Sequence, residues 1–328
     1  MKYIIITDTH FGVKNNNMVW CDNQVKFLDN VLIPYLERIE GEWKLLHLGD
    51  VFDSRAIIST KVIDEVDKRF KAINDLCERT GNEMIVIGGN HDYYSPENDN
   101  VSILNILLRN YGSITLLTSN SSAVSYDNFT YDVFIPWYDF NDIDNLKRVL
   151  NGIDGKVNNI FTHTDVKGLP TEYHELLKDI KIYAGHIHQP ANLGLWHNLG
   201  STYPLTYSDN GRRAGAYVLE DGDLKMLYND VSFRFWKYLS MPAETDTANW
   251  KDSDLITIIL SKSEYDYHID EIRELKKSFD ITVSISPDEL EDADVESNLD
   301  IQDICMALVP DAYKSMMEKV VSKYNETM

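Results

Sequence analysis

Asn90, His91 and Asp92 stand together directly after an apolar run, in the segment MIVIGGNHDYY that spans residues 84–94. Two glycines separate them from the run, and glycine stops a strand sharply because it adopts backbone angles that other residues avoid. Amide oxygen, imidazole and carboxylate are good cation ligands, and ligands of open α/β sheets bind beyond the carboxyl ends of the strands. The segment therefore predicts a cation or ligand site at the end of a strand.

Four more apolar runs end in the same residue types. Asp8 and His10 follow the first run, Asp50 and Asp53 the second, His163 the fourth, and His186 and His188 the fifth. The segments between the runs have mostly helical patterns, so we expect the runs to be strands of an α/β sheet. Chance placement of polar residues would not select strand ends five times, and we expect these side chains to form one site.

The ligand types favour Mn²⁺, and to a lesser degree Mg²⁺, Fe²⁺ or Zn²⁺. Two such ions roughly 3.5–4 Å apart can hold a phosphate, activate a water and stabilise a leaving oxygen. This arrangement needs a carboxylate that bridges both ions, and Asp50 directly follows a glycine that permits close approach. The expected metal ligands are Asp8, His10, Asp50, Asn90, His163, His186 and His188.

His91 is left outside this set, because its neighbour Asn90 is expected to take a metal. Beside two cations it could donate a proton to the leaving oxygen or stabilise charge on the phosphate, so we predict that His91 is catalytic. Asp92 could orient His91 or cap the turn, and Asp53 could support a metal ligand from behind. His47, inside the second run, is expected to be a satisfied core residue or another such support.

The composition restricts the class of protein. The chain has 328 residues, of which 43% are hydrophobic, enough for one large core and a small appended domain. No apolar stretch approaches the ~20 residues that span a bilayer. Three well-separated cysteines argue for a reducing compartment and against a zinc–thiolate site. We expect a cytoplasmic protein with no membrane partner.

The net charge of −22 argues against tight nucleic-acid binding by this chain alone, because phosphate backbones favour basic surfaces. Part of the acidity lies in a run at 288–303 that contains no lysine or arginine, a pattern typical of a solvated linker. Another part belongs to the predicted site, where bound divalent ions would reverse the local field. The acidity therefore does not exclude a nucleic-acid substrate.

Strand and helix patterns alternate from residue 1 to about residue 230, and they predict an α/β fold in which two sheets form a sandwich flanked by helices. Residues 100–109 are expected to be helical, and 214–220, 224–228 and 233–238 to alternate as an antiparallel meander. A strand, a helix and a strand between 255 and 286 indicate a small separate unit. A terminal helix is expected after the acidic linker.

The ordered motifs DxH at Asp8, GDVFD from Gly49, GNHD from Gly89, a lone His163 and GHIH from Gly185 resemble those of the calcineurin-like metallophosphoesterase superfamily. Within it, the chain is most similar to SbcD-type nucleases, the nuclease subunits of the double-strand-break repair complex. GNHD stands where protein phosphatases usually have GNHE, and HNLGSTYPLTYSD is similar to a GSP-containing segment of the nucleases. The compact, acidic chain also resembles bacteriophage recombination nucleases.

The resemblance implies a metallophosphoesterase domain at 1–230 with two Mn²⁺ ions. Asp8, His10, Asp50 and His188 would hold one ion, and Asp50, Asn90, His163 and His186 the other, with His91 as the catalytic histidine and Ser201 in support or near the substrate. It further implies a homodimer formed within 55–79 and 101–109, an α+β capping domain at 231–287, and an SbcC-type coiled-coil ATPase that binds the linker and helix at 288–328.

The leading hypothesis is a Mn-dependent DNA exonuclease and endonuclease that acts in double-strand-break repair and recombination. The enzymatic alternative is a small-substrate phosphodiesterase or nucleotidase with the same dinuclear site, although such an enzyme needs neither the extra unit nor the tail. A non-catalytic scaffold on the same fold would usually lose metal ligands, and all seven expected positions are present here.

Overall fold

The computed structural model describes residues 1–95, 98–127, 129–205, 214–251 and 253–286. The predicted acidic linker and terminal helix at 288–328 lie outside these residues, as does the end of the HNLGSTYPLTYSD segment. Within the described ranges, no helix is both long and apolar enough to cross a membrane.

One six-stranded sheet contains the first three predicted strands. It is built from β1 (Lys2–Ile6), β2 (Trp43–His47), β3 (Glu83–Ile87), β6 (Ile114–Leu117), β13 (Gly215–Glu220) and β14 (Asp223–Tyr228), in the order β14-β13-β1-β2-β3-β6. The four strands from β1 to β6 in this order are parallel, and β13 is antiparallel to both of its neighbours. The carboxyl ends of β1, β2 and β3 therefore lie at one edge.

A second six-stranded sheet contains the other two predicted strands. It is built from β7 (Ser122–Asp127), β8 (Thr130–Ile135), β9 (Lys156–His163), β10 (Lys181–Gly185), β11 (Ala191–Leu193) and β12 (Trp196–Asn198), in the order β11-β12-β10-β9-β8-β7. Strands β8, β9, β10 and β12 are parallel, while β7 and β11 are antiparallel to their neighbours.

Helices cover the outer faces of both sheets. They are α1 (Val13–Asn16), α2 (Met18–Phe27), α3 (Ile33–Arg38), α4 (Thr60–Thr80), α5 (Ile103–Leu107), α6 (Trp137–Phe140), α7 (Ile143–Asn151) and α8 (Thr171–Leu177), and a π-helical segment (Leu28–Leu32) joins α2 to α3. The longest, α4, begins where Ser59 accepts a hydrogen bond from the backbone N–H of Val62 at 3.2 Å and ends at Gly81, whose φ is 72°.

Successive side chains of a strand point to opposite faces of the sheet, and this alternation divides the core into layers. In β1, Tyr3 and Ile5 pack between the sheets with Phe161 of β9, while Ile4 and Ile6 pack beneath the helices on the other face. A third buried cluster lies between the second sheet and α6, α7 and α8. The fold is therefore the predicted sandwich of two sheets with helices outside.

A small unit with its own core follows the sandwich. It contains β15 (Phe235–Tyr238), α9 (Glu244–Thr247), β16 (Leu255–Leu260), α10 (Lys262–Leu275) and β17 (Asp280–Ile285), and its three strands form a parallel sheet in chain order. Trp250, Ile256 and Ile272 belong to a buried cluster within this unit. The expected strand, helix and strand correspond to β16, α10 and β17.

Two predicted elements are wrong. Residues 233–238 do not continue the meander, because the Asn23 side chain accepts a hydrogen bond from the backbone N–H of Phe233 at 2.9 Å and the chain then enters β15, beside β16. Residues 100–109 begin as a strand, since β5 (Asn98–Ser102) pairs with β4 (Tyr93–Ser95). The helix starts only after Ser102, whose hydroxyl accepts a hydrogen bond from the backbone N–H of Leu104 at 3.1 Å.

Candidate metal centre

The structure brings the seven expected metal ligands together where the two sheets meet. Each lies at or just beyond the carboxyl end of β1, β2, β3, β9 or β10, which is where open α/β sheets bind ligands. Six of the seven fall into two compact groups, Asp8 with His10 and His188, and Asp50 with His163 and His186. The amide oxygen of Asn90 lies within 3.0 Å of nitrogens of both histidines in the second group.

In the first group, two imidazole nitrogens point at each other. His10 Nε2 lies 3.1 Å from His188 Nε2, and each of these nitrogens lies 3.8 Å from Asp8 Oδ1. Asp8 and His10 both follow β1, and their ligand atoms lie within reach of one another. The arrangement offers one carboxylate and two imidazoles to a shared point.

In the second group, Asn90 Oδ1 lies 3.0 Å from His163 Nε2 and 2.9 Å from His186 Nδ1. The Nδ1 of His163 is 2.7 Å from the carbonyl oxygen of Leu48, to which it donates. This hydrogen bond fixes the ring so that Nε2 faces the other ligand atoms, which is how metal-binding histidines are usually oriented.

Asp50 lies between the two groups. Its Oδ2 is 3.6 Å from His10 Nε2 and 3.3 Å from His163 Nε2, so one carboxylate oxygen reaches both sets of ligands. A Cβ on Gly89 would stand 2.3 Å from Asp50 Oδ1, and only glycine permits the close approach of these two strand ends. Asp50 has the position that a bridging ligand requires.

The backbone at four ligands is strained. The φ angles of Asp8, His10, Asp50 and His186 are 51°, 42°, 53° and 86°, in the left-handed region that costs a non-glycine residue free energy. Backbone hydrogen bonds hold this geometry: Asp8 N–H donates to Gly49 O at 3.1 Å, and His10 N–H donates to Asp50 O at 3.0 Å. Such strain is retained where it aims side chains at a functional point.

The carboxylates give the centre a field that favours positive charge. Burial lowers the pKa of His10, but contacts with Asp53 and Asp8 and the charge of Asp50 outweigh it and raise that pKa to about 10. For His163, burial again opposes, and Asp50 raises the pKa to about 9. Burial raises the pKa of Asp50, yet His163 and His10 hold it below its usual range. The cluster therefore attracts cations.

The donor atoms fit two divalent cations. One set would be Asp8, His10, Asp50 and His188, and the other Asp50, Asn90, His163 and His186, with oxygen and imidazole nitrogen as the only donor types. Two facing imidazole nitrogens at 3.1 Å next to buried carboxylates are the arrangement that a bound cation stabilises. When bound, a pair of divalent cations supplies charge neutralisation for a phosphate and acidification of water.

His91 lies beside this centre, and its backbone N–H donates to Asp50 Oδ1 at 2.8 Å. Its Nδ1 is 2.6 Å from the carbonyl oxygen of Asp53, to which it donates, so Nε2 is the nitrogen left to exchange a proton. His10, Asp53 and His91 also form a compact group of ligand-type atoms. The position suits a proton donor. The metal content of a His91 variant distinguishes this role from that of a metal ligand.

The three predicted supporting residues act in different ways. Asp53 Oδ1 lies 3.4 Å from His10 Nδ1, behind the nitrogen that faces the cluster. Asp92 is buried, and its carboxylate accepts hydrogen bonds from the backbone N–H groups of Val51 and Gly89, at 3.0 and 2.9 Å, so it caps the turn while the Asp53 carbonyl orients His91. Ser201 holds His188 through its backbone N–H, which donates to His188 O at 3.0 Å.

His47 supports the ligands through a chain of hydrogen bonds. His47 Nε2 lies 2.8 Å from the Thr9 hydroxyl, which in turn donates to Val51 O at 3.1 Å. Thr9 lies between the expected ligands Asp8 and His10 in the sequence, and Val51 directly follows Asp50. Of the two interpretations of His47 open from the sequence, the supporting one agrees with these contacts.

The sequence interpretation missed Trp137. It follows β8, the neighbour of β9, and its backbone N–H donates to Gly88 O at 3.0 Å. The signal was available, since FIPWYDF is another apolar run that stops sharply, at Pro136. It was overlooked because the run ends in aromatic residues and not in metal ligands.

The sequence profile of the calcineurin-like phosphoesterase family matches residues 1–210, and the chain belongs to this family. None of the curated proteins compared with the chain is a significant match. Among solved structures, one described as a novel archaeal phosphodiesterase is similar at 15% identity, over 70% of this chain and all of that chain, with a TM-score of 0.34. The family and the paired ligand groups together define a metal-dependent phosphoesterase.

Proposed function

We propose that this phosphoesterase is an SbcD-type nuclease subunit. It hydrolyses DNA phosphodiesters with two Mn²⁺ ions, as an exonuclease and endonuclease in double-strand-break repair and recombination. The observation that carries the proposal is the position of the Asp50 carboxylate. Its Oδ2 lies 3.6 Å from His10 Nε2 and 3.3 Å from His163 Nε2, and its Oδ1 accepts a hydrogen bond from the backbone N–H of His91. One phosphate could contact both ligand groups and His91.

In the proposed reaction, the residues of the chain orient the reacting groups and move a proton. The strand-end ligands would hold the two cations, and Asp50 fixes the backbone of His91. A water oxygen bonds to phosphorus and releases its proton while the bond from phosphorus to the leaving oxygen breaks. The Asp53 carbonyl fixes the His91 ring through Nδ1, so Nε2 of protonated His91 donates its proton to that leaving oxygen. Proton transfer of this kind contributes roughly 10²–10⁴-fold to a rate.

DNA as the substrate is supported by features outside the metal centre. The motif order and the GNHD sequence resemble the nucleases, and a unit with its own buried cluster follows the sandwich. We propose residues 1–230 as the nuclease domain, 231–287 as a capping domain and 288–328 as the segment that binds an SbcC-type ATPase. A net charge of −22 supports such a partner, because the partner would supply the basic surface that DNA needs.

A homodimer and a cytoplasmic location also belong to the proposal. Ile57, Val101 and Ile106 are 74%, 50% and 62% exposed, and all three lie in the two segments expected to form the dimer, 55–79 and 101–109. A dimer formed through these segments would cover these exposed apolar side chains. Three cysteines in 328 residues agree with a reducing compartment.

The test is hydrolysis of end-labelled linear duplex and circular single-stranded DNA in Mn²⁺, with and without an SbcC-type ATPase. The proposal is supported if the native protein degrades both DNA substrates, if a chelator stops this degradation, and if the Asp50→Ala variant degrades neither substrate. Hydrolysis of bis(p-nitrophenyl) phosphate without any cleavage of DNA, even with the ATPase, would contradict it and favour the small-substrate phosphodiesterase or nucleotidase.

A further inference from the structure

A cleft of about 450 Å³ opens beside the metal centre, at the carboxyl ends of β8, β9 and β10. Its lining includes Trp137, Thr164, Asp165, Glu172, Tyr173 and His186. His186 belongs both to the cleft and to the second ligand group, so a molecule in the cleft would lie beside a residue of the candidate metal centre. The volume is within the range of roughly 300–1,000 Å³ that small-ligand pockets have.

Two aromatic side chains form fixed walls of this cleft. The ring of Trp137 packs against Tyr138 and Tyr93, with centroids 5.2 and 6.3 Å away, and its backbone is bound to Gly88. Tyr173 donates its hydroxyl hydrogen to Phe140 O at 3.0 Å and packs on the Phe140 ring. Aromatic surfaces held in place in this way are suited to stacking on a planar ring.

The charged groups of the cleft are acidic. Asp165 and Glu172 contribute carboxylates, and no lysine or arginine is among the described residues that line it. Asp165 Oδ1 accepts a hydrogen bond from the backbone N–H of Lys167 at 2.9 Å, and a Cβ on Gly168 would stand 2.9 Å from Asp165 Oδ2. A carboxylate kept clear by glycine, in a cleft without a cation, repels phosphate and attracts N–H donors.

We propose that the cleft binds the nucleobase of the nucleotide whose phosphate lies at the metal centre, and that it prefers a base with an amino group. Trp137 stacks on the base, and Asp165 accepts its N–H groups. Guanine presents an amino group and a ring N–H side by side to a carboxylate, whereas the ring N–H of thymine is flanked by two carbonyl oxygens. The inference rests on the proposed function, because it requires a nucleotide substrate.

The test measures equilibrium dissociation constants by titration calorimetry in Mn²⁺ for dGMP, dTMP and the base-free 2-deoxyribose 5-phosphate. We expect dGMP to bind more tightly than the base-free ligand by roughly 5- to 150-fold, the typical effect of one stacked base. Thymidine monophosphate should lie between them. Trp137→Ala should remove the advantage of dGMP over the base-free ligand, and Trp137→Phe should restore part of it.

Asp165→Asn should narrow the difference between dGMP and dTMP while both still bind more tightly than the base-free ligand. Tyr267→Ala, at an aromatic side chain that is 85% exposed on α10, is the matched control and should change none of the three constants. Equal affinity of the native protein for dGMP and the base-free ligand would overturn the inference. An equal loss for all three ligands in Trp137→Ala, with no rescue by phenylalanine, would also overturn it.

Failure of the base site can be distinguished from failure of the proposed function. If DNA is cleaved but the base makes no difference to binding, only the base site is wrong. If DNA is not cleaved in Mn²⁺ even with the ATPase, the proposed function is wrong, whereas the base site is rejected only if dGMP and the base-free ligand bind equally.

Discussion

The carboxylate of Asp92 accepts a hydrogen bond from the backbone N–H of Val51 at 3.0 Å. Its second oxygen accepts one from the backbone N–H of Gly89 at 2.9 Å. Val51 follows Asp50, and Gly89 precedes Asn90, so one buried carboxylate sets the distance between ligands that come from β2 and β3. The separation of the two strand ends therefore depends on a residue that binds the backbone beside the ligands.

Asp92→Asn should lower stability and weaken metal binding. Asparagine has one acceptor oxygen, so one of the two backbone N–H groups would face an NH₂ group, at a cost of about 1–3 kcal/mol in the free energy of unfolding. Urea unfolding measures this loss, and metal titration measures the affinity. Asp223→Asn is the control, since that side chain is 63% exposed, and it should change neither quantity. Unchanged stability in Asp92→Asn would contradict the structural role.

Asp50→Ala should abolish hydrolysis and reduce the bound metal, because it removes a carboxylate oxygen that lies near both ligand groups. Elemental analysis of the purified protein gives the metal content, and the Mn-dependent hydrolysis of DNA gives the activity. Asp144→Ala, at a carboxylate that is 85% exposed, is the matched control. A variant that cleaves DNA as well as the native protein would show that Asp50 is not a bridging ligand.

His91→Ser should keep its metal and lose roughly 10²–10⁴-fold in rate, the usual contribution of a positioned proton donor. The reason is geometric: Nδ1 is bound to the Asp53 carbonyl, and Nε2 remains to reach the substrate. Metal content and turnover are measured on the same sample, with His268→Ser on α10 as the control. Loss of metal together with activity would make His91 a ligand in the group with His10 and Asp53.

The stability of the protein should fall in acid through His47. Burial lowers the pKa of His47 from its ordinary 6.5 to about 3, so the unfolded chain binds a proton that the folded protein excludes. Its contribution to the free energy of unfolding is full above pH 6.5 and decreases as the pH falls toward 3. Between pH 7 and 5 the loss is about 2 kcal/mol.

His47→Gln keeps an N–H donor for Thr9 but does not titrate, so its stability should fall less steeply than that of the native protein over this pH range. Urea unfolding of both proteins at pH 7, 6 and 5, without added metal, gives the difference, and groups that titrate in both proteins cancel. His268→Gln should follow the native curve. Parallel curves for His47→Gln and the native protein would contradict the buried, neutral state.

Deletion of residues 288–328 should leave the hydrolysis of a small phosphodiester intact and remove binding of the ATPase. This expectation comes from the sequence, in which an acidic run precedes a segment with apolar residues at helical spacing. Joining two subunits raises the local concentration of DNA at the active centre, so the partner's stimulation of DNA cleavage should disappear as well. A truncated protein that still co-purifies with the ATPase at full affinity would place the interface elsewhere.

The sequence by itself determined the layers of the fold and the residue types of the candidate centre. The continuous apolar run of β1 and the sharp stops before Asp8, Asp50 and Asn90 are local signals, and each depends on a few neighbouring residues. Strand ends of an α/β sheet share an edge, so residues distant in the chain could be assigned to one site without knowledge of the order of the strands.

Only the tertiary structure decided which groups support these residues and what lies beside them. The Asp53 carbonyl orients His91, the Asp92 carboxylate caps two backbone turns, and Trp137 reaches Gly88, 49 positions earlier in the chain. Backbone groups have no residue-specific signature, so their partners cannot be identified from residue types. The chain that enters β15 likewise contacts Asn23, more than 200 residues away, and such long-range contacts leave no periodic trace in the sequence.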